Sequence, residues 1–519
     1  MRSRTQNKAV GVTPQSHGED SPESQEIAAG QSSAAERRSL VEMLPGGRMV
    51  GGEDVEFISL CTQSEMIMPG DLAVCRIGQD NPVRLVANAM ARGAAGVITE
   101  QLLPCPLPQY LVGDVDAALL KIKRETLDRP DRKMLTVGVL GGAGKTVTTL
   151  MVATMLRGCG IRTAYQCDLG HSDSGQQKTG GEAHAGGIAL LDWLVNSVEE
   201  KSDAAIVELT DESLRRGAYD VMEFDVLIVA SPPSSKDDFG PGTLDCALEH
   251  LGSDGIIIAS ADEPGMISQI EQTCPRVVTF GLRNEGDVTA KLMDQEGGVW
   301  SMLVDYGDTS AMVETTLGGP GMNASFLAAT TMGILIDQPI QHVVEQISRL
   351  RQVPGRLQKL ERDLGQPTVI LDSNEPNQLR HALRYARMAK GGGQLWVVAA
   401  VGDQDESSLA IAGHLMERFA DRVVLTSAVS VSAKQFRSAA HNVIDGVQKC
   451  AAMRWVADTD AAVRWAIDNA RPGDTVLLAV LSRDHDALGQ RKEIRSWENR
   501  VARIHQAQAK PKVSLGLVN

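Results

Sequence analysis

Short apolar runs, many of them β-branched, recur along this chain and alternate with longer stretches whose apolar positions follow helical spacing. The pattern falls into three blocks. In the first block, residues 38–130, one amphipathic helix is predicted at VRLVANAMARGA. Strands are predicted around it at DVEFISL, GDLAVCRI and AGVITE. This block should form a small N-terminal α/β domain.

The second block, residues 131–352, has apolar runs without polar alternation, which is typical of strands buried on both faces of a parallel sheet. Strands are predicted at MLTVGVL, RTAYQC, AAIVEL, DVLIVAS, GIIIAS and RVVTF. A β-ribbon should follow at VWSMLVDYG and AMVETTL, and then a helix around MNASFLAATTMGIL. The hydrophilic stretch KRETLDRPDRK before this block is predicted to be a linker.

The third block, residues 353–504, again alternates strands with helices and predicts a second doubly wound unit. Its strands are expected at TVILD, LWVVAAV, RVVLT and TVLLAV. The predicted fold class is therefore α/β with three domains: the small first domain, a central P-loop-type parallel-sheet ATPase domain and a C-terminal Rossmann-like domain. Polar composition predicts a disordered tail at residues 1–37 and a frayed tail at residues 505–519.

Charge and composition exclude several classes of function. The formal net charge is −15, and no block of Lys or Arg interrupts it, so a nucleic-acid partner is not expected. The eight cysteines form no CxxC pair, which favours free thiols in a reducing compartment. No apolar run reaches the ~20 residues that a membrane helix needs. We expect a cytoplasmic protein without membrane insertion.

The segment LTVGVLGGAGKTVTTLMVATML carries the clearest chemical signal. A strand delivers Gly141, Gly142 and Gly144 to the start of a helix, where backbone N–H groups and the helix dipole attract anions. Lys145 adds a positive charge for phosphate oxygens, and the Thr146 hydroxyl suits Mg²⁺. A glycine-rich turn without a ligand is the alternative, but it gives no reason for the Gly-Lys-Thr sequence.

The segment GVLGGAGKT is similar to the Gly-x-x-Gly-Thr-x-Gly-Lys-Thr signature of the Mur ligases. The resemblance is to the branch that adds the third residue to UDP-N-acetylmuramoyl-dipeptide, and it covers nearly the whole chain beyond the N-terminal tail. It implies ATP and Mg²⁺ as cofactors. The implied nucleotide contacts are Gly141, Gly142, Ala143, Gly144, Lys145, Thr146, Val147, Asn323 and Arg356.

The resemblance also implies a metal site and a charged group over ATP. AIVELTDESL resembles the Glu-x-Ser-Ser-His-x-Leu segment of the family, so Glu208 and Thr146 are the implied metal ligands, while Glu212 replaces the histidine. Arg356, in VPGRLQ, matches a family arginine at the junction of the central and third domains. Lys145, Glu208 and Arg356 are therefore the implied catalytic residues.

Substrate contacts are implied at four positions. Ser64 lies where the family has the serine of an Asp-Ser-Arg motif, but Glu65 replaces its arginine. Asp372, Asp403 and Asp405 match carboxylates of the third domain. The Asp-Asn-Pro-Arg segment that grips diaminopimelate in one branch is absent after Thr426.

Two hypotheses follow. In the first, the protein is an ATP-dependent carboxylate–amine ligase of peptidoglycan assembly, which joins an amino acid to a UDP-linked muramoyl peptide through an acyl phosphate. In the second, it is a catalytically degenerate relative that retains nucleotide binding and has a regulatory or scaffolding role. The intact Gly144-Lys145-Thr146 sequence, together with Glu208 and Arg356, favours the first hypothesis. The replaced histidine and arginine positions in all three domains favour the second.

Overall fold

The computed structural model describes most of the chain after residue 36. The described residues are 37–173, 177–178, 186–230, 242–274, 276–296, 299–360, 365–374, 379–389, 392–402, 404–428, 431–448, 453–481 and 487–509. Contacts divide the chain into two compact units, Met1–Val115 and Asp116–Asn519. The predicted disordered tail lies outside the described residues except for Arg37.

The first unit is built around a five-stranded sheet of order β2-β7-β6-β5-β4, in which only β2 runs antiparallel to its neighbour. Strands β1 and β3 form a separate antiparallel pair. The strands are β1 Arg38–Ser39, β2 Arg48–Val50, β3 Glu56–Phe57, β4 Leu60–Cys61, β5 Leu72–Cys75, β6 Gly96–Thr99 and β7 Gln109–Leu111. The helices are α1 Leu40–Met43 and α2 Pro82–Arg92, and α3 Val115–Thr126 begins at the boundary between the units.

An eleven-stranded sheet forms the first part of the second unit. Its strands are β8 Leu135–Leu140, β9 Thr163–Cys167, β10 Gly170–Ser172, β11 Gln177–Lys178, β12 Ala204–Glu208, β13 Phe224–Val229, β14 Leu251–Ser260, β15 Val277–Gly281, β16 Val288–Glu296, β17 Val299–Tyr306 and β18 Thr309–Thr315. Its helices are α4 Lys145–Gly158, α5 Gly186–Glu199, α6 Asp211–Arg215, α7 Thr243–Leu248, α8 Pro264–Thr273, α9 Pro320–Leu335 and α10 Ile340–Ser348.

A six-stranded sheet forms the rest of this unit. Its strands are β19 Gln358–Leu360, β20 Thr368–Asn374, β21 Leu395–Val401, β22 Arg422–Ser427, β23 Met453–Trp455 and β24 Thr475–Leu481. Its helices are α11 Leu379–Ala389, α12 Glu406–Phe419, α13 Ala433–Asp445, α14 Thr459–Asn469 and α15 Ala487–Ala509. The order is β19-β20-β24-β21-β22-β23, and only β19 is antiparallel to its neighbour.

The order of the large sheet brings three strand ends together. It reads β11-β10-β9-β12-β8-β13-β14-β15-β16-β17-β18, and β9, β12 and β8 are parallel neighbours. The residues that follow the carboxyl ends of these three strands therefore share one edge of the sheet, which is where α/β folds bind ligands.

Alternate residues of the buried strands pack into two different hydrophobic cores, one on each face of the sheet. In β8, Val137 and Val139 face the core that contains α4, α9 and α10, whereas Leu140 joins the core formed with α5 to α8. Continuous apolar runs are required because both faces of these strands are covered. The first of these cores extends into the six-stranded sheet through Val398 and Trp497, so the two sheets share apolar packing.

Two sequence-based expectations about polar segments differ from the structure. The predicted linker contains the end of α3 and a 3₁₀ helix, Pro130–Lys133. These polar residues are ordered because they pair with one another: the Arg124 guanidinium binds Asp131, which is only 2% exposed. Through Leu120, α3 packs on the core of the second unit.

The predicted frayed tail begins at residue 505, but α15 continues to Ala509. Trp497, Val501 and Ile504 are buried along one side of this helix, so its apolar stripe holds it to the core.

Two further sequence-based expectations concern cysteines and membranes. The cysteines that the structure describes are all free, as predicted; they are Cys61, Cys75, Cys105, Cys159, Cys167, Cys246 and Cys274. Cys450 lies outside the described residues. Within the described ranges, no helix combines the length and apolar character that crossing a bilayer requires.

Asp474 ties two connections of the six-stranded sheet together. It accepts hydrogen bonds from the backbone N–H groups of Gln394 and Arg471 at 2.7 and 2.8 Å, and from the indole N–H of Trp396 at 3.2 Å. Burial opposes ionisation, but these hydrogen bonds outweigh it and hold the pKa of Asp474 below its usual value.

We expect Asp474→Asn to lower the free energy of unfolding by about 1 to 3 kcal/mol at neutral pH, because a buried carboxylate acceptor is lost. A lowered folded-state pKa stabilises the fold above the unfolded pKa of about 3.9, and the benefit disappears as pH falls through the folded pKa. In urea unfolding, the difference in the free energy of unfolding between wild type and variant should therefore be smaller near pH 3 than at neutral pH. Asp308→Asn is the control, because Asp308 is exposed. A difference in the free energy of unfolding that increases on acidification would contradict the stabilising role of the Asp474 carboxylate.

Candidate nucleotide site

The glycine loop lies between the buried strand β8 and the fourteen-residue helix α4. Gly144 is the N-cap residue in a left-handed conformation, with φ +87°, and it supplies no side-chain cap. A Cβ there would stand 3.0 Å from the Ser325 hydroxyl of α9, so glycine suits both the backbone and the space. The first-turn N–H groups of α4 are thus presented to an anion.

Lys145 folds back over this loop. Its ammonium group donates to the carbonyl oxygens of Gly141 and Gly142 at 2.8 and 3.3 Å. These contacts hold a positive charge at the mouth of the loop. Ala143 and Val147 complete the loop and the first turn of the helix, and Val147 is buried in the core.

Thr146 and Glu208 meet beside the loop. The Thr146 hydroxyl donates to Glu208 Oε1 at 3.2 Å, and the two residues are only 5% and 3% exposed. Glu208 is brought there because β12 ends at this residue, next to the carboxyl end of β8. Tyr219 supports this turn by donating its hydroxyl to the Glu208 carbonyl at 3.2 Å, and burial raises the pKa of Tyr219 to about 12, so the donor stays protonated.

Arg356 reaches the same edge from the six-stranded sheet. Its Nη2 group lies 2.5 Å from Asp168 Oδ2, and its Nη1 group donates to the carbonyls of Ser373 and Gly355. The side chain is 8% exposed. The guanidinium is therefore a buried cation between the two sheets of the second unit, held by one carboxylate and by backbone oxygens.

Sequence reasoning missed Asp168. It occupies the turn between β9 and β10, and its backbone N–H donates to Glu208 Oε2 at 3.0 Å. Gln490 of α15 donates to its other carboxylate oxygen at 3.3 Å. A polar residue directly after an apolar strand, as in AYQCD, was the available signal.

The structure gives the other predicted contacts local partners. Asn323 accepts from the backbone N–H of Gly319 at 3.1 Å, at the start of α9. Asp372 accepts from the N–H of Leu357 at 2.9 Å, next to Arg356, whereas Asp405 caps α12 through the N–H of Ser408 at 2.8 Å. Asp403 lies outside the described residues.

Within the first unit, Ser64 accepts a hydrogen bond from the Asn88 amide at 3.1 Å. The neighbouring Glu65 pairs with Arg84 at 2.7 Å, and both side chains are more than half exposed. Hydrogen bonds from its own backbone amide and from Ser64, together with the charge of Arg84, lower the pKa of Glu65. The carboxylate that replaces the family arginine is thus matched by a nearby cation.

Sequence comparison finds that Mur ligases are similar to this chain. Residues 355–479 match the family described as Mur ligase, glutamate ligase domain. The UDP-N-acetylmuramoyl-L-alanyl-D-glutamate–2,6-diaminopimelate ligase of Geobacillus kaustophilus is 25% identical over 463 residues, covering 85% of this chain and 93% of that protein. The enzyme of the same name from Synechococcus elongatus is 26% identical, with 85% and 92% covered. The chain is thus similar to Mur ligases over most of its length, and residues 355–479 match a Mur ligase domain.

Solved structures agree on the fold. A structure of a UDP-N-acetylmuramoyl-L-alanyl-D-glutamate–2,6-diaminopimelate ligase matches this chain with a TM-score of 0.60 at 19% identity, covering 91% of this chain and 99% of the other. MurF ligase from Thermotoga maritima, in complex with ADP, matches with a TM-score of 0.55 at 16% identity, covering 86% and 98%. The predicted α/β fold class is therefore confirmed.

The residues beside the glycine loop fit a magnesium nucleotide. Among the described residues, no group of three or more His, Cys, Asp or Glu side chains is placed to hold a metal ion. The Thr146 and Glu208 oxygens offer one hydroxyl and one carboxylate beside the loop. Mg²⁺ is usually bound by one or two such oxygens, with phosphate and water completing its shell.

Gly355, which precedes Arg356, has a left-handed backbone and packs closely against Ile494. It has φ +65°, and a Cβ would stand 2.6 Å from Ile494. We expect Gly355→Ala to lower the free energy of unfolding by about 2 to 4 kcal/mol, since left-handed strain adds to overpacking. Gly392→Ala is the matched control, because Gly392 has φ +95° and open space around its Cβ position. Chemical denaturation that shows equal losses for both variants would contradict the close packing.

Proposed function

We propose that this protein is an ATP-dependent carboxylate–amine ligase that uses Mg²⁺ and joins an amino acid to a UDP-linked muramoyl peptide in the cytoplasm. The observation that supports it most is the contact between Thr146 and Glu208 beside the glycine loop. A structural turn needs no buried carboxylate against its helix, whereas the Mg²⁺ of a bound nucleotide is usually held by one or two carboxylates. The ligase names of the relatives from Geobacillus kaustophilus and Synechococcus elongatus support the same activity.

Each charged group has a distinct role in this proposal. MgATP, when bound, supplies the phosphoryl group that activates the substrate carboxylate, and the incoming amine then displaces phosphate. The loop amides and Lys145 bind the phosphates, Thr146 and Glu208 provide oxygen ligands for Mg²⁺, and Arg356 adds positive charge from the six-stranded sheet. Such positioning and charge neutralisation provide most of the catalysis in phosphoryl transfer.

The small first unit would hold the uridine nucleotide. Ser64 at its surface and the pairing of Glu65 with Arg84 support this role, since the local charge is balanced. Asp372 and Asp405 remain proposed substrate contacts, although each carries a structural hydrogen bond. The three domain ranges, 38–130, 131–352 and 353–504, likewise remain part of the proposal.

Phosphate release tests the activity directly. The full-length protein should release phosphate from ATP only when a UDP-muramoyl peptide and an amino acid are both supplied. Lys145→Ala should lower this rate by about 10² to 10³, the usual cost of removing one electrostatic group from an active site. Lys434→Ala, on the exposed surface of α13, is the control.

Two outcomes would contradict the proposal. If nucleotide binds but no combination of peptide and amino acid gives turnover, the protein is a nucleotide-binding module rather than a ligase. If Lys145→Ala retains the full rate, the glycine loop is not the phosphate site.

The metal role of Glu208 has a separate test. Glu208→Gln should raise the Mg²⁺ concentration for half-maximal phosphate release by about 10- to 100-fold, because an anionic ligand becomes neutral. Glu212→Gln is the matched control: Glu212 lies four residues further on, is 58% exposed and pairs with Arg216. An unchanged Mg²⁺ titration for Glu208→Gln would remove this residue from the metal site.

A further inference from the structure

Asp168 contacts both charged groups that flank the glycine loop. Its carboxylate binds the Arg356 guanidinium at 2.5 Å, and its backbone N–H donates to Glu208 at 3.0 Å. One residue thus links an arginine of the six-stranded sheet to a carboxylate of the eleven-stranded sheet.

The turn that carries Asp168 fixes its position. Strands β9 and β10 are antiparallel, with Gly170 opposite Cys167, so Asp168 and Leu169 form a two-residue hairpin turn. Cys167 and Leu169 are buried on either side of Asp168, at 0% and 2% exposure. Because its neighbours are fixed in the core, the Asp168 backbone cannot shift freely.

Arg356 depends on this carboxylate for its charge balance. Its side chain is 8% exposed, and its Nη1 group is already bound to two carbonyls. A buried guanidinium without a counter-charge is costly, so the Nη2 contact with Asp168 selects one orientation of the side chain. The partners are 188 residues apart in sequence, so this contact also fixes the PGRLQ turn against the loop edge.

We propose that Asp168 is a positioning residue for nucleotide binding, which orients Arg356 through its carboxylate and Glu208 through its backbone N–H. The proposal rests on the proposed function, since it assumes that nucleotide binds at this edge. Asp168 itself need not touch the nucleotide. Its charge acts through Arg356, so removing that charge should misplace the arginine and weaken nucleotide binding.

The chain offers a matched control at the opposite ends of the same two strands. Asp203, just before β12, forms two side-chain hydrogen bonds with Arg162, just before β9, each at 2.9 Å. Asp203→Asn and Asp168→Asn each remove the charge of a carboxylate that binds an arginine. The Asp203 and Arg162 side chains are 47% and 53% exposed, whereas those of Asp168 and Arg356 are 26% and 8% exposed. Only Asp168 lies at the carboxyl ends of the strands.

The experiment is calorimetric titration of the full-length protein with MgATP. Asp168→Asn should weaken binding by about 10- to 100-fold, the range seen when a residue that orients a ligand-binding group is removed. Asp203→Asn should stay within about twofold of wild type, as expected for an exposed pair. In turnover, Asp168→Asn should raise the KM for ATP but leave the KM for the peptide nearly unchanged, whereas a general loss of structure would change both.

A double-mutant cycle tests whether Asp168 acts through Arg356. In an Arg356→Ala background, or Arg356→Lys if the alanine variant does not fold, Asp168→Asn should have little further effect on the Kd for MgATP. Unchanged or tighter binding by Asp168→Asn alone, or full additivity in the cycle, would overturn the proposal. If wild-type protein gives no heat with MgATP, the proposed function fails; if wild type binds and Asp168→Asn binds equally well, only this inference fails.

Discussion

A line of polar contacts across the larger unit determines what its site can do. The Thr146 hydroxyl binds Glu208, Glu208 accepts from the Asp168 backbone, and the Asp168 carboxylate binds Arg356. The side chains of Thr146, Glu208 and Arg356 are less than a tenth exposed. The buried charges therefore rely on these contacts to replace the hydration that they lose on burial. The glycine loop lies at one end of the line and the six-stranded sheet at the other.

This line of contacts exists because of strand order. Strands β9, β12 and β8 lie side by side and run parallel, so Asp168, Glu208 and the loop after Leu140 emerge at one edge. The loop backbone supplies N–H groups, β12 supplies a carboxylate, and the six-stranded sheet supplies a cation. An anionic ligand with a bound divalent cation matches that arrangement of charge.

The sequence predicted the buried strands well, because strands covered on both faces must be apolar throughout. LTVGVL and LWVVAAV are examples, and every residue of the second run is buried. Strand β16, VTAKLMDQE, was missed, since residues 291–295 are exposed and leave no apolar run. The polar KRETLDRPDRK segment was misjudged because Arg124 pairs with Asp131 and Arg129 pairs with the distant Glu223, and residue spacing does not reveal such contacts.

The residues of the site were likewise predictable from the sequence where they are close together in it, and not where they are far apart. Lys145 and Thr146 could be found because the loop, its charge and its hydroxyl lie within a few residues of one another. Glu208 and Arg356 were reached only through family resemblance, and Asp168 was not reached at all, because its partner is 188 positions away. Asp405 was assigned to substrate from its motif, yet it also fits the ordinary role of a helix cap.

A crystal structure of the full-length protein with Mg²⁺ and a non-hydrolysable ATP analogue tests the central claim most directly. The account predicts phosphates on the amides of residues 141–146, with Mg²⁺ bound to the oxygens of Thr146 and Glu208. A nucleotide bound elsewhere, or one at the loop whose metal contacts neither oxygen, would contradict it.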